Sequence, residues 1–266
     1  MTSREHYTHG HHESVLRSHS WRTVANSAAY LEPHLTSGLS VLDVGCGPGT
    51  ITAEIADRVG ADGSVVGIDA SADVVALASE AQQSTNLTFA VGDIYALEAA
   101  DDTFDVVHAH QVMQHLADPV AALREMRRVC RPGGIVAARD ADYSGSAWFP
   151  GDEWLDRWLD LSLTIGRDNG GEPDAGRRML SWAQAAGFLD VTPSASVWCF
   201  ATPSERSWWA GLWADRVMQS HLAEQAVAGG YATSADLSRM ADAWRAWASH
   251  PDAWFAVIHG EILARA

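Results

Sequence analysis

Between Leu39 and Asp140 the apolar positions come in short runs rich in Val, Ile and Ala, each followed by turn residues or a helical stretch. The runs are SVLDVG (40–45), SVVGIDA (64–70), LTFAVGD (87–93), FDVVHAH (104–110) and GIVAARD (134–140). Short β-branched runs of this kind predict buried strands. Between them the period changes. Ile51, Ile55 and Val59 recur at helical spacing after Gly49, and Val74, Val75, Ala78 and Ala81 mark a second helix. A third is predicted where Asp118 can cap, Pro119 suits the first turn, and Leu123, Met126 and Cys130 form a buried stripe. Arg131-Pro132-Gly133-Gly134 then stops it. Strands alternating with helices imply parallel pairing through right-handed crossovers, covered on both faces, so the fold class is α/β with a doubly wound sheet.

Past Asp140 the alternation slackens. Residues 150–190 read as two helices, 191–201 as a strand, 204–252 as helical with a break near Gly229-Gly230, and 253–264 as a closing strand. The segment from His19 to Tyr30 reads helical. One domain, 1–266, is expected: a front segment 1–38, a core 39–140, and final strands with helical insertions over 141–266.

Composition alters this picture in three ways. The 266 residues carry 34 acidic against 18 basic side chains, a net charge of −16, and every one of those basic residues is arginine. Lysine chemistry, such as a Schiff base, is excluded, and no electrostatic footprint for a nucleic-acid partner is present. No apolar run reaches the length of a membrane span, the polar front lacks a signal-peptide pattern, and three scattered cysteines suit a reducing compartment. A cytoplasmic protein with no membrane partner, monomeric or homodimeric, is expected. Finally, of twelve tryptophans, Trp21 stands alone and the other eleven lie between Trp148 and Trp254. Helical spacing of Trp154/Trp158, Trp209/Trp213 and Trp244/Trp247 makes core packing their default role. A flat apolar ligand against some of them is the sharper alternative.

The first strand runs into VLDVGCGPGT, with Gly45, Gly47 and Gly49 before a helix. Glycines at such a turn let backbone approach a ligand. The second strand ends in Asp69, twenty residues after Gly49, where a carboxylate can accept both hydroxyls of an adenosine ribose. Asp93 ends the third, within reach of an adenine amino group. A dinucleotide would expect G-x-G-x-x-G; here the spacing is G-x-G-x-G with Asp43 close by. Nearby carboxylate suits a phosphate-free cofactor bearing a positive sulfonium. A tight turn with two solvated aspartates is the bland alternative.

These motifs, followed by FDVVHAHQVMQHL and LREMRRVCRPGGIV, resemble the class I S-adenosylmethionine-dependent methyltransferases, in the UbiE-like (type 11) branch. The resemblance covers residues 39–140. It implies a Rossmann-like seven-stranded sheet whose last strand is antiparallel, S-adenosylmethionine as cofactor and S-adenosylhomocysteine as product. It also implies that Gly45, Cys46, Gly47 and Gly49 approach the methionine moiety, Asp69 with Ala70 the ribose, and Asp93 with Ile94 the adenine. His110 and Gln111 would lie beneath the cofactor near its methyl group. His115 belongs either to that set or to the backbone of a helix start. The front, YTHGHHESVLRSHSWRT, and the tryptophan-rich back resemble a subgroup of small-molecule methyltransferases, some of which methylate indoles at C3. The implied acceptor is a small aromatic or heteroaromatic compound; a quinone, a phenol, another O or N acceptor, or a cofactor-binding role without transfer is the alternative.

His6, His9, His11 and His12 crowd the front, without the cysteine or second spaced pair of a built metal site, so no metal is expected. A segment before the first strand can cross the crevice at the strand ends. Tyr7, His11 and His12 are therefore the candidate catalytic groups, histidine being suited to take the proton released on methylation. Arg22 is a candidate for the cofactor carboxylate, with a plain surface arginine as its alternative.

Overall fold

The computed structural model describes residues 18–266. The five predicted strands are β1 (Ser40–Val44), β2 (Ser64–Asp69), β3 (Leu87–Val91), β4 (Phe104–His110) and β5 (Cys130–Phe149). With β6 (Val191–Phe200) and β7 (Trp254–Arg265) they form one sheet in the order β3-β2-β1-β4-β5-β7-β6. Only β7 runs antiparallel, to β5 on one side and β6 on the other.

A short helix α1 (Val24–Ser27) and α2 (Thr50–Val59) cover one face of the first half. There Val24, Ile51, Ile55 and Val59 pack on Val41, Val65, Val106 and Ile135. Helix α3 (Ala72–Ala81) follows β2 and is capped by Ser71, whose hydroxyl accepts from Val74 N. Helices α4 (Pro119–Val129) and α6 (Met179–Ala185) cover the opposite face, setting Leu123, Met126 and Met179 against Leu42, Val44, Val107 and Val136. The Asp118 cap and Pro119 stand where the sequence places them. The remaining helices, α5 (Glu153–Asp168), α7 (Pro203–Gln219), α8 (His221–Ala228) and α9 (Ser234–Ser249), build a second core on β6 and β7. Capping boxes at Thr202/Glu205 and Thr233/Asp236 start α7 and α9.

Two expectations are corrected. The stretch read as helical to Tyr30 is interrupted: residues 18–20 are helical, the chain breaks at 21–23, and a capping box of Thr23 and Asn26 starts α1 afresh for four residues. And β5 does not end at Asp140. Its partner β7 is twelve residues long and keeps pairing with it, from Ile135↔Arg265 to Phe149↔Trp254. The turn-like residues Tyr143 to Ser146 are absorbed as an irregularity between Asp142 and Ala147.

The default role of the tryptophans is present in the second core. Trp158, Trp213 and Trp244 are almost fully buried. Trp158 stands edge-on to both others, with ring centroids 4.5 and 4.8 Å away. Trp209 stacks on Phe200 at 4.2 Å.

Candidate active site

The glycine loop leaves β1 with Gly45, Gly47 and Gly49 all in the left-handed region, at φ of 68°, 57° and 78°. A side chain at Gly49 would place its Cβ 2.6 Å from the Phe89 ring, and one at Gly45 would run into Val112. Conformation and space both demand glycine. Beneath the loop, buried Asp43 accepts from Thr52 Oγ1 at 2.6 Å and from His108 Nδ1 at 2.7 Å, tying β1 to α2 and β4. Asp69 accepts from Gly47 N at 3.2 Å and Ser71 N at 3.0 Å, which fixes its carboxyl between the loop and the start of α3. Ala70 and Asp93 are exposed beyond the strand ends, and Ile94 is buried beside them. Asp93 accepts from Tyr95 N at 2.9 Å. Burial, with Asp43 and Asp69 nearby, pushes the Cys46 thiol up, so it stays protonated and is no nucleophile. The front segment reaches this loop: a Cβ at Gly47 would lie 3.6 Å from His19 Nδ1.

At the end of β4 the chain turns through Gln111, a non-glycine residue at φ 54°. Its N–H donates to Arg139 O at 2.7 Å. Its side-chain oxygen accepts from Arg22 Nη2 at 2.5 Å, while Nε2 approaches His259 Nε2 at 2.9 Å. An amide nitrogen only donates, so His259 accepts there and carries its own proton on Nδ1. His110 is buried with no hydrogen-bond partner at either ring nitrogen. Burial, reinforced by Arg22 and Arg139, pulls its pKa well below the usual histidine value and keeps it neutral. Arg139 is buried too, and its Nε donates to Glu261 and Ser196. Burial lowers its pKa to about 10, so it remains a cation at neutral pH.

The next turn, Met113–His115, hangs on one carboxylate from the neighbouring strand. Asp140, wholly buried, accepts from Met113 N at 3.1 Å and Gln114 N at 3.2 Å. Burial pushes its pKa up to about 7, against the pull of those N–H groups. Beside this turn lies a narrow cleft of about 30 Å³ between the strand ends and the helical insertion. Gln114, His115, Tyr143, Ser162, Leu163, Gly166, Pro173 and Trp213 line it. Burial, with Arg22 adding to it, pulls His115 down to about 3, leaving a neutral imidazole.

A glycine loop backed by strand-end carboxylates, on a sheet of this order, has counterparts among known proteins. A family model described as a methyltransferase domain matches residues 35–164. An uncharacterized methyltransferase of Schizosaccharomyces pombe is 34% identical over 98% of this chain and 97% of its own length. The chain belongs to the class I S-adenosylmethionine-dependent methyltransferases. A probable methyltransferase of Aspergillus luteorubrus is 28% identical over 97% of this chain and 96% of its own. Among solved structures, the YcgJ protein of Bacillus subtilis shares the fold, with a TM-score of 0.55 at 17% identity, covering 89% of this chain and 97% of that one.

Within this methyltransferase, the structure brings Gly45, Cys46, Gly47, Gly49, Asp69, Ala70, Asp93 and Ile94 together along the ends of β1, β2 and β3. It sets His110, Gln111 and His115 at the end of β4. Arg22 stands at the Gln111 side chain and 5.8 Å from the Trp198 ring, so it is a part-buried group and no plain surface arginine. Tyr7, His11 and His12 lie outside the described residues. Sequence reading missed Asp140, Gln114, Tyr143 and Trp213. For Asp140 a signal existed, a carboxylate closing an apolar run immediately after Arg139; for Trp213 helical spacing pointed only to the core. Among the described residues no helix is long and apolar enough to cross a membrane, and no cluster of side chains is placed to hold a metal ion.

Proposed function

We propose that this methyltransferase acts on a small aromatic or heteroaromatic acceptor, an indole carbon among the candidates. The cleft beside the Met113–His115 turn carries this reading: it is walled by Tyr143, Leu163, Pro173 and Trp213, with few polar groups, and it opens one residue-turn beyond the end of β4. Apolar, aromatic-lined clefts with a small number of placed polar groups are the usual form of small-molecule sites.

The residues present fit the cofactor. Three left-handed glycines allow close backbone approach, and the acidic surroundings of Asp43, Asp69 and Asp93 suit a positive sulfonium and no phosphate. In this reading Gly45, Cys46, Gly47 and Gly49 hold the methionine moiety. Asp69 with Ala70 takes the ribose, Asp93 with Ile94 the adenine, and Arg22 the carboxylate. His110, Gln111 and His115 floor the transfer site. When bound, the cofactor supplies an already activated methyl group. The protein's task is then to align the acceptor within near-attack distance, about 3–3.5 Å, and to exclude water. Tyr7, His11 and His12 are the proposed proton acceptors. Tyr7→Phe and His12→Ala are expected to lower turnover while leaving cofactor affinity intact; unchanged turnover in both removes that role.

The test of the acceptor class is incubation with methyl-labelled S-adenosylmethionine and a panel of indoles, phenols and quinones, following labelled product and S-adenosylhomocysteine by mass spectrometry. Label on an aromatic acceptor is the expected result. No label on any ring, with cofactor binding verified in the same samples, overturns the aromatic reading.

A further inference from the structure

Gln114 is held at each of its polar groups but one. Its backbone N–H donates to Asp140 at 3.2 Å, and its carbonyl accepts from Glu172 N at 2.9 Å. Its side-chain Nε2 lies 3.2 Å from His115 Nε2. That ring is neutral, because burial disfavours its charged form. An amide nitrogen only donates, so with Nε2 on this side His115 Nε2 is the acceptor and the ring carries its proton on Nδ1. The side-chain oxygen is thereby directed away from His115. Gln114 is 6% exposed, and Oε1 has no hydrogen-bond partner. Buried carbonyl oxygens in native proteins are nearly always paired, so an orphan on the wall of a cleft points to a donor that arrives with a ligand.

The other walls limit what that ligand is. Tyr143, Leu163, Pro173 and Trp213 are largely apolar, and the cleft is narrow. A thin, flat ligand edge suits so narrow a cleft better than a bulky one, and a single donor on that edge satisfies the orphan oxygen.

We propose that Gln114 Oε1 is the specificity element of the acceptor site, accepting a hydrogen bond from a ring N–H or O–H. The acceptor class is then a planar, apolar ring with one hydrogen-bond donor, and the same ring alkylated at that donor is rejected. Replacing N–H by N–CH₃ leaves Oε1 buried without a partner and places a methyl group where the donor sat, and sites built around a polar contact discriminate strongly against analogues that lack it. Gln114 acts by positioning and takes no proton, since a neutral amide oxygen is far too weak a base. This inference rests on the reading that the cleft receives the acceptor.

The experiment compares two probe pairs, indole with 1-methylindole and phenol with anisole. Binding to the S-adenosylhomocysteine-loaded protein is measured by titration calorimetry and ligand-observed NMR, and kcat/KM is measured where methylation occurs. Wild type is expected to prefer the donor-bearing member of at least one pair by at least about tenfold. Gln114→Met, similar in size but without the oxygen, is expected to bring that ratio to about one while cofactor affinity stays within about twofold. Equal binding of both members by wild type overturns the inference, as does a preference that survives in Gln114→Met or binding by no probe. The wild-type contrast needs no variant to fold. If no ring is methylated the acceptor-class reading fails on its own, while the binding ratio still decides the role of Gln114.

Discussion

On the β1 side of the sheet both carboxylates are engaged: Asp43 binds Thr52 and His108, whose Nε2 alone is left without a partner, and Asp69 binds two backbone N–H groups. On the β5–β7 side, buried polar atoms without partners accumulate. They include both nitrogens of His110, Oε1 of Gln114, Nη1 and Nη2 of Arg139, and the indole nitrogens of Trp158, Trp209 and Trp244. The first arrangement is a preorganised platform: the groups proposed to meet the cofactor have positions set by bonds within the fold. The second is tolerated because aromatic edges and faces surround the indoles, and Gln114 among its members lines the cleft proposed for the acceptor. One sheet thus joins a region whose carboxylates are settled internally to a region where buried polar atoms are left unpartnered.

If the two regions are separable in this way, substitutions in them have different signatures. The largest effect is expected from Trp158→Ala. The side chain is wholly buried between Trp213 and Trp244, so its removal should cost about 3–5 kcal/mol and lower Tm by about 10 °C. Calorimetric titration with S-adenosylhomocysteine below the transition should still give a Kd within about twofold of wild type. A large loss of cofactor affinity would break the comparison.

Next in size is Asp140→Asn, on the seam between the regions. Asparagine offers one oxygen where the carboxylate accepts from both Met113 N and Gln114 N, and its NH₂ group opposes the second donor. Turnover should fall about tenfold as the turn loses its anchor, with cofactor Kd nearly unchanged. Steady-state kinetics paired with the same titration checks this.

The smallest effect is a pH dependence of stability. His110, His115 and His259 all have pKa values lowered chiefly by burial, so below about pH 6.5 the unfolded chain binds protons that the folded protein refuses. Their contribution is present above that pH and is lost as pH falls. Asp140, raised to about 7 by burial, works in the opposite sense, favouring the folded state as pH falls from about 7 toward about 4. With three groups against one, the denaturant midpoint should be lower at about pH 5 than at about pH 7.5. His110→Asn should flatten the difference.

The platform was legible in the sequence because its parts are local. A strand, a glycine turn and a helix start are contiguous from Ser40 to Thr50, and Asp69 and Asp93 follow at the ends of the next two strands. The parallel order and the antiparallel last strand followed from the alternation and the resemblance. The side proposed for the acceptor was not legible for the opposite reason. Gln114 meets Asp140 across 26 residues and Gln111 meets His259 across 148, and no spacing rule reports such pairs. The extension of β5 was hidden because Tyr143-Ser144-Gly145-Ser146 has the composition of a loop, and only pairing with β7 holds it in the sheet. Trp213 displayed its helical stripe but not its second duty at the cleft.

The gathering of indoles on one side has an optical consequence. No tryptophan lies between Arg22 and Ala147, so the glycine loop and its strands emit almost nothing under tryptophan-selective excitation. Trp158, Trp213 and Trp244, by contrast, sit with ring centroids 4.5 to 6.3 Å apart, close enough to share excitation energy and to couple their transitions. Native fluorescence and near-ultraviolet circular dichroism of this protein therefore report chiefly on the second core, with Trp182 on α6 the exception against the first. A melt followed by emission describes that region, and the cofactor platform needs a probe of its own.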